Sequence, residues 1–133
     1  DSIAWTSAVA FNKKKFKAIG EFDENLITGQ DTDLWIRFAL KYHVCFNPTV
    51  TASYIKYIND SLSQKENNTI RYQLINKYNN EEKNNPSLKL YLDVNRYAIG
   101  LRCKINNEYQ LFKKLKQEID FNNLNFKQKK PTD

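Results

Sequence analysis

The sequence predicts a helix-rich α/β chain, with a few short strands confined to its first half and helices in the rest. Three observations carry that expectation. Gly and Pro number only three each in 133 residues, too few for the turns of a sandwich or barrel. Hydrophobic residues make up 41% and aromatics 14%, enough for one modest core. The apolar spacing also changes near Ser63, from short runs and alternation to helical repeats.

Taken in order, Ile3 to Phe11 (IAWTSAVAF) is expected to be a buried strand or extended segment. Lys13 to Ile19 is expected to be a short basic helix, with Gly20 in the position of a helix C-cap. Glu21 to Gln30 is a loop with a carboxylate cluster. Asp31 to Tyr42 is a helix whose acids fall in the first turn and Lys41 in the last, as the helix dipole favours. Asp33, Arg37 and Lys41 form one polar stripe, while Leu34, Ile36, Phe38 and Leu40 leave the remaining circumference apolar, so this helix should be largely buried. His43 to Asn47 and Val50 to Ile58 suggest two short strands split at Pro48. Asn59-Asp60-Ser61 is a turn. Beyond it, Ile70, Leu74 and Tyr78 mark one helix. Leu88, Leu92, Ile99 and Cys103 mark a second, and Leu111, Phe112, Leu115 and Ile119 a third. The last residues, FNNLNFKQKKPTD, show no long pattern.

The net charge is +6, and lysines cluster at 13–17, 113–116 and 127–130. Such runs favour phosphate-rich partners: an anionic membrane, a phosphorylated substrate or nucleic acid. A solvated surface accounts for the same lysines. Arg is scarce and the aromatics are not interleaved with cations, which disfavours nucleic acid. Cys45 and Cys103 lie far apart among apolar neighbours, with a single histidine, His43, so buried reduced thiols are expected rather than a metal site. No apolar run is long enough to span a bilayer, and no signal peptide is visible. Asp1 leads directly into the apolar stretch, from which the chain is expected to be a piece of a longer protein.

The informative stretch is Gly20-Glu21-Phe22-Asp23-Glu24, then Gly29-Gln30-Asp31-Thr32-Asp33-Leu34-Trp35-Ile36-Arg37. It resembles the segment G-x-F-D-E…(E)D-x-D-L-W-x-R of family-2 glycosyltransferases. The likeness extends upstream through WTSAVAFNKKKFKAIG and downstream through HVCFNP and SYIKYINDSLS, covering about residues 3–63.

The resemblance implies that residues 1–63 are the acceptor-side part of a Rossmann-like GT-A domain, followed by a basic helical extension over 64–133. It implies a bacterial, inverting transferase of polysaccharide or glycoconjugate synthesis, cytoplasmic and peripheral on the inner membrane. The donor would be a nucleotide-diphospho-sugar and the acceptor a saccharide or lipid-linked glycan. A divalent metal, Mg or Mn, would sit in the half not represented here, so this piece alone is expected to be inactive and to bind no metal. By position, Asp31 would be the catalytic carboxylate. Trp35 and Gln30 would be substrate-binding, Gln30 standing where the family usually has Glu.

The residue chemistry fits these roles. A carboxylate at a helix N-terminus is held ionised and can take the proton of an attacking hydroxyl. Trp35, one turn along, offers a ring against an apolar sugar face. Asp33–Arg37 is expected to be an (i, i+4) ion pair on the helix surface, and Asp31 to Asp33 could equally cap the helix. Asp23 and Glu24 would shape the loop through backbone amides. Asp31-Thr32-Asp33 also spells D-x-D, but no apolar strand leads into it, so a metal role for this triplet is rejected. The stretch Tyr54 to Ser61 lacks the histidine by which some relatives add a metal ligand. The alternative is a non-catalytic basic helical module that binds an anionic membrane surface or RNA.

Overall fold

A computed structural model describes residues 6–53 and 67–124. The chain divides into two compact units, Asp1–Glu66 and Asn67–Asp133.

The first unit holds two helices. After a 3-10 turn over Thr6–Ala8, α1 spans Lys13–Ile19. Asn12 caps α1, its side-chain oxygen accepting from the Lys14 and Lys15 N–H groups at 2.9 and 3.2 Å. Gly20 closes the helix at φ 81° and ψ 133°, a conformation that side chains with a Cβ resist. Helix α2 spans Gln30–Lys41 and starts from Gly29 in the left-handed region. Leu34 and Ile36 are its buried apolar residues, and Phe11, Phe16, Phe22, Trp35, Phe38 and Tyr42 form a chain of ring contacts 4.8 to 6.1 Å apart. The core is thin. Leu40 is 39% exposed, so α2 is less buried than its composition suggests.

The second unit is a helical bundle. Helix α3 spans Asn68–Asn76, capped by Asn67; a 3-10 turn covers Glu81–Asn84. Helix α4 covers Pro86–Ile105, with Asn85 accepting from the Leu88 N–H at 3.0 Å and Pro86 at the first position. Helix α5 runs over Tyr109–Glu118. Tyr72, Leu74, Ile75, Tyr78, Leu88, Leu92, Ile99, Cys103, Leu115, Ile119 and Leu124 are the buried apolar residues.

Within that bundle lies a buried charge network. Arg96, 2% exposed, donates from Nη1 to Glu82 (2.7 Å) and Asp93 (2.9 Å), and from Nη2 to Asn79 and Glu82 (both 2.9 Å). Lys89 donates to both oxygens of fully buried Asp93 at 2.6 and 2.7 Å and to the Glu118 carbonyl at 3.2 Å. Charges in a low-dielectric interior persist only when paired in this way.

The predicted α/β class is overturned. The described residues contain helices and no strand, so the partial Rossmann-like domain is replaced by an all-helical architecture. Thr6–Ala8, expected in a strand, forms a 3-10 turn; the local run of Ser and Ala has little strand preference. Residues 43–53 carry no ladder. Alternating side chains make a strand only when a neighbour pairs with the backbone N–H and C=O groups. Positions 3–5 and 54–58 of the expected strands, and the turn at 59–61, lie outside the described residues. Cys45, expected buried, is exposed, whereas Cys103 is fully buried. No helix among the described residues is long and apolar enough to cross a membrane.

Candidate functional site

The motif residues gather around the start of α2. Arg37 organises them. Its Nε donates to Asp33 Oδ2 at 2.8 Å, Nη1 to the carbonyls of Ile19 (2.9 Å) and Gly20 (2.5 Å), and Nη2 to the Glu21 carbonyl at 2.8 Å. One guanidinium thus chelates three consecutive carbonyls at the end of α1, satisfying groups that a helix terminus leaves orphaned. Gly20 is part of the same fit, since a Cβ there would lie 3.5 Å from Arg37 Nη1 and its φ would be strained. The spacing from Gly20 to Arg37 is therefore the spacing of one structural clamp.

Asp33 belongs to that clamp and is fully buried, not on the helix surface as expected. The reason is tertiary: Arg37 turns inward to the end of α1 and carries its partner with it. Asp23 accepts from the backbone N–H and the amide of Asn25, both at 3.0 Å, and so tightens the loop between the helices. Gln30 donates its amide to the Leu26 carbonyl at 2.6 Å and to Ile27 at 3.2 Å. Its donor group is directed at the loop, so the structure places it as a staple of the segment that leads into α2.

Asp31 differs from Asp33 in every respect. It is half-buried at the second position of α2, and it is not the cap, which is Gly29. Its Oδ1 accepts from the Thr32 N–H at 2.7 Å and lies 3.5 Å from the Thr32 hydroxyl; Oδ2 is 3.4 Å from the Thr6 hydroxyl. One oxygen is thus oriented by the helix N-terminus, while the other faces only a long hydroxyl contact among the described residues. Such a carboxylate can accept a proton from an incoming hydroxyl.

Trp35 packs its ring against Phe11 at 6.1 Å, and its buried Nε1–H has no hydrogen-bond acceptor among the described residues. An indole N–H in that state costs about 1–3 kcal/mol. The side chain is half-buried, so the structure places it at the edge of the aromatic cluster. Arg37 is the residue whose importance the sequence understated. No local pattern marks that role, because its carbonyl partners lie 16 to 18 positions away. No group of carboxylates, thiols or imidazoles able to hold a metal ion occurs among the described residues.

No protein-family model matches the chain, and neither a curated protein nor a solved structure matches it.

Proposed function

We propose that this chain supplies the acceptor-side catalytic carboxylate of an inverting glycosyltransferase, with Asp31 as the general base. The single observation behind this reading is the contrast between two carboxylates in one motif. Asp33 is shut away on Arg37, whereas Asp31 stands at the helix N-terminus with an oxygen that, among the described residues, meets only the Thr6 hydroxyl at 3.4 Å. The role needs only a rigid helix end to hold the carboxylate. The acceptor hydroxyl would lose its proton to Asp31 Oδ2 as its oxygen attacks the anomeric carbon, and the nucleoside diphosphate would leave from the opposite face. Trp35 would border the acceptor, and Gln30 would keep the entering loop in place. The nucleotide-diphospho-sugar and its divalent metal would be held by other parts of the whole protein, which would act in polysaccharide or glycoconjugate synthesis on a saccharide or lipid-linked acceptor.

The test compares Asp31→Asn and Asp33→Asn in the whole protein. Asp31→Asn is expected to fold normally and to lose about 10²–10⁴ in transfer rate, the usual cost of removing a general base. Asp33→Asn is expected to lower the melting temperature first. Near-normal transfer by Asp31→Asn, or loss only through unfolding, overturns the assignment.

A second reading has its own observation. Residues 67–133 hold 13 of the 21 basic residues and 7 of the 15 acidic ones, so the whole net charge of +6 falls there. Lys113, Lys114 and Lys116 are all exposed on α5. This unit would hold the enzyme against an anionic membrane surface, near lipid-linked acceptors.

A further inference from the structure

Helix α4 has two apolar faces. Leu88, Leu92, Ile99 and Cys103 point into the bundle, at most 8% exposed. Leu90, Val94, Leu101 and Ile105 are exposed to 42, 51, 46 and 78%, and half-buried Tyr97 falls between them. At about 100° per residue these five fall within roughly an 80° arc, opposite the buried face. The stripe extends about 22 Å along the helix. Single exposed leucines are ordinary, but a contiguous apolar stripe over four turns marks a binding surface.

We propose that α4 is a self-association helix. Two copies of the chain pair antiparallel through the Leu90–Ile105 face, about a two-fold axis beside Tyr97 and Ala98. The spacing is the first argument. Steps of 4, 3 and 4 from Leu90 to Leu101 match the seam by which helices seat side chains into each other's holes, and no charged residue interrupts the stripe. Charge sets the direction. Lys104 is exposed in the last turn of α4. A parallel pair would bring both Lys104 ammoniums and both helix C-termini together. An antiparallel pair sends the lysines to opposite ends and opposes the helix dipoles.

Area supports a second copy as the occupant. The exposed parts of these side chains offer on the order of 400 Å² per copy, so a pair with its flanks reaches the ~1,000 Å² at which a specific interface begins. An amphipathic helix lying in a bilayer interface carries cations along the edges of its apolar face. Here Arg102 and Lys104 stand only at the C-terminal end of the stripe.

The experiment uses the full chain carrying Cys45→Ser, which removes the exposed thiol. Sedimentation equilibrium at roughly 10–100 µM, the range expected of an interface of this size, should show the 15.7 kDa species associating to twice that mass. Leu101→Glu or Val94→Glu should weaken association at least ~100-fold with unchanged helical circular dichroism and melting temperature, because both positions face outward. Orientation is read by oxidative cross-linking. Ala98→Cys should form a disulfide dimer. Leu90→Cys alone should not, whereas Leu90→Cys combined with Ile105→Cys should. A monomer at 100 µM, a dimer indifferent to both Glu variants, or association only on lipid vesicles would overturn the proposal. Cross-linking by Leu90→Cys as efficient as by Ala98→Cys would overturn the antiparallel arrangement.

Discussion

Two aspartates separated by one residue illustrate how environment divides labour. Asp33 is fully buried and bound to Arg37, whose side chain is itself 20% exposed. Asn at 33 can still accept a hydrogen bond, but it leaves the guanidinium without its counter-charge, so Asp33→Asn should destabilise by about 1–3 kcal/mol. Arg37→Met also releases the three carbonyls that Arg37 clamps, so in a double-mutant cycle the double variant should lose less than the sum of the two single losses, as thermal melts of the four variants would measure. Additive losses would mean that the pair is not coupled. The cysteines make a second contrast. Burial first, and then the Glu108 carboxylate that accepts from Sγ at 3.5 Å, push the Cys103 thiol up to about 11. Because the fold favours the neutral thiol, this contribution is fully present below the ordinary value of 9.0 and is lost as pH rises through about 11. Iodoacetamide at pH 8 should therefore modify exposed Cys45 in the native chain, and Cys103 only after unfolding, as mass spectrometry would read. Cys103 labelling at the rate of Cys45 would contradict the burial.

Among the elements, α4 is fixed in the bundle by ions as well as by oil. Arg96 joins it to the Asn79 and Glu82 segment, and Lys89–Asp93 joins it to the end of α5. The Arg96 guanidinium loses solvation on burial, yet hydrogen bonds and charge from Glu82 and then Asp93 outweigh that and raise its pKa. Arg96→Ala removes the guanidinium from part-buried Glu82 and leaves fully buried Asp93 with Lys89 alone as counter-charge, and should cost about 3–5 kcal/mol in urea unfolding. Arg96→Lys should restore little, since one ammonium cannot reproduce the forked contacts. A cost below about 1 kcal/mol for Arg96→Ala would show that water reaches the network freely. In the first unit the comparable element is the junction of α1 and α2. Gly20→Ala should destabilise by about 1–3 kcal/mol through its backbone angle alone.

At the scale of the whole molecule, charge is partitioned between the units. The first is formally neutral and the second carries +6. If that charge serves membrane attachment, each lysine near an anionic bilayer adds about 1 kcal/mol. The chain should then float with vesicles containing anionic lipid and be released as salt is raised toward about 0.5 M. Neutralising Lys113, Lys114 and Lys116 to Gln should reduce flotation while leaving α4 self-association intact, because those residues lie on α5. Equal binding to neutral vesicles, or none to either, removes the membrane reading.

The helices were legible in the sequence because each is dictated locally. Apolar residues recur at the helical period and Gly20 stops α1, whereas the Asn12, Asn67 and Asn85 caps, which the sequence reading did not single out, fix where α1, α3 and α4 start. The stretch between Gly20 and Arg37 stood out in the sequence, and the structure gathers its residues around the start of α2. The strands expected at 43–53 were misjudged because short apolar runs around Pro48 say which side chains could share a face and nothing about whether a partner strand exists. The burial of Asp33 and Arg96 was hidden for a related reason. Periodicity assigns a charged residue to solvent, and only the carbonyls and carboxylates brought in from 14 to 18 residues away make the interior habitable for it. Local pattern thus determined where helices begin and end, whereas tertiary structure alone decided which charges are buried, because that depends on partners distant in sequence.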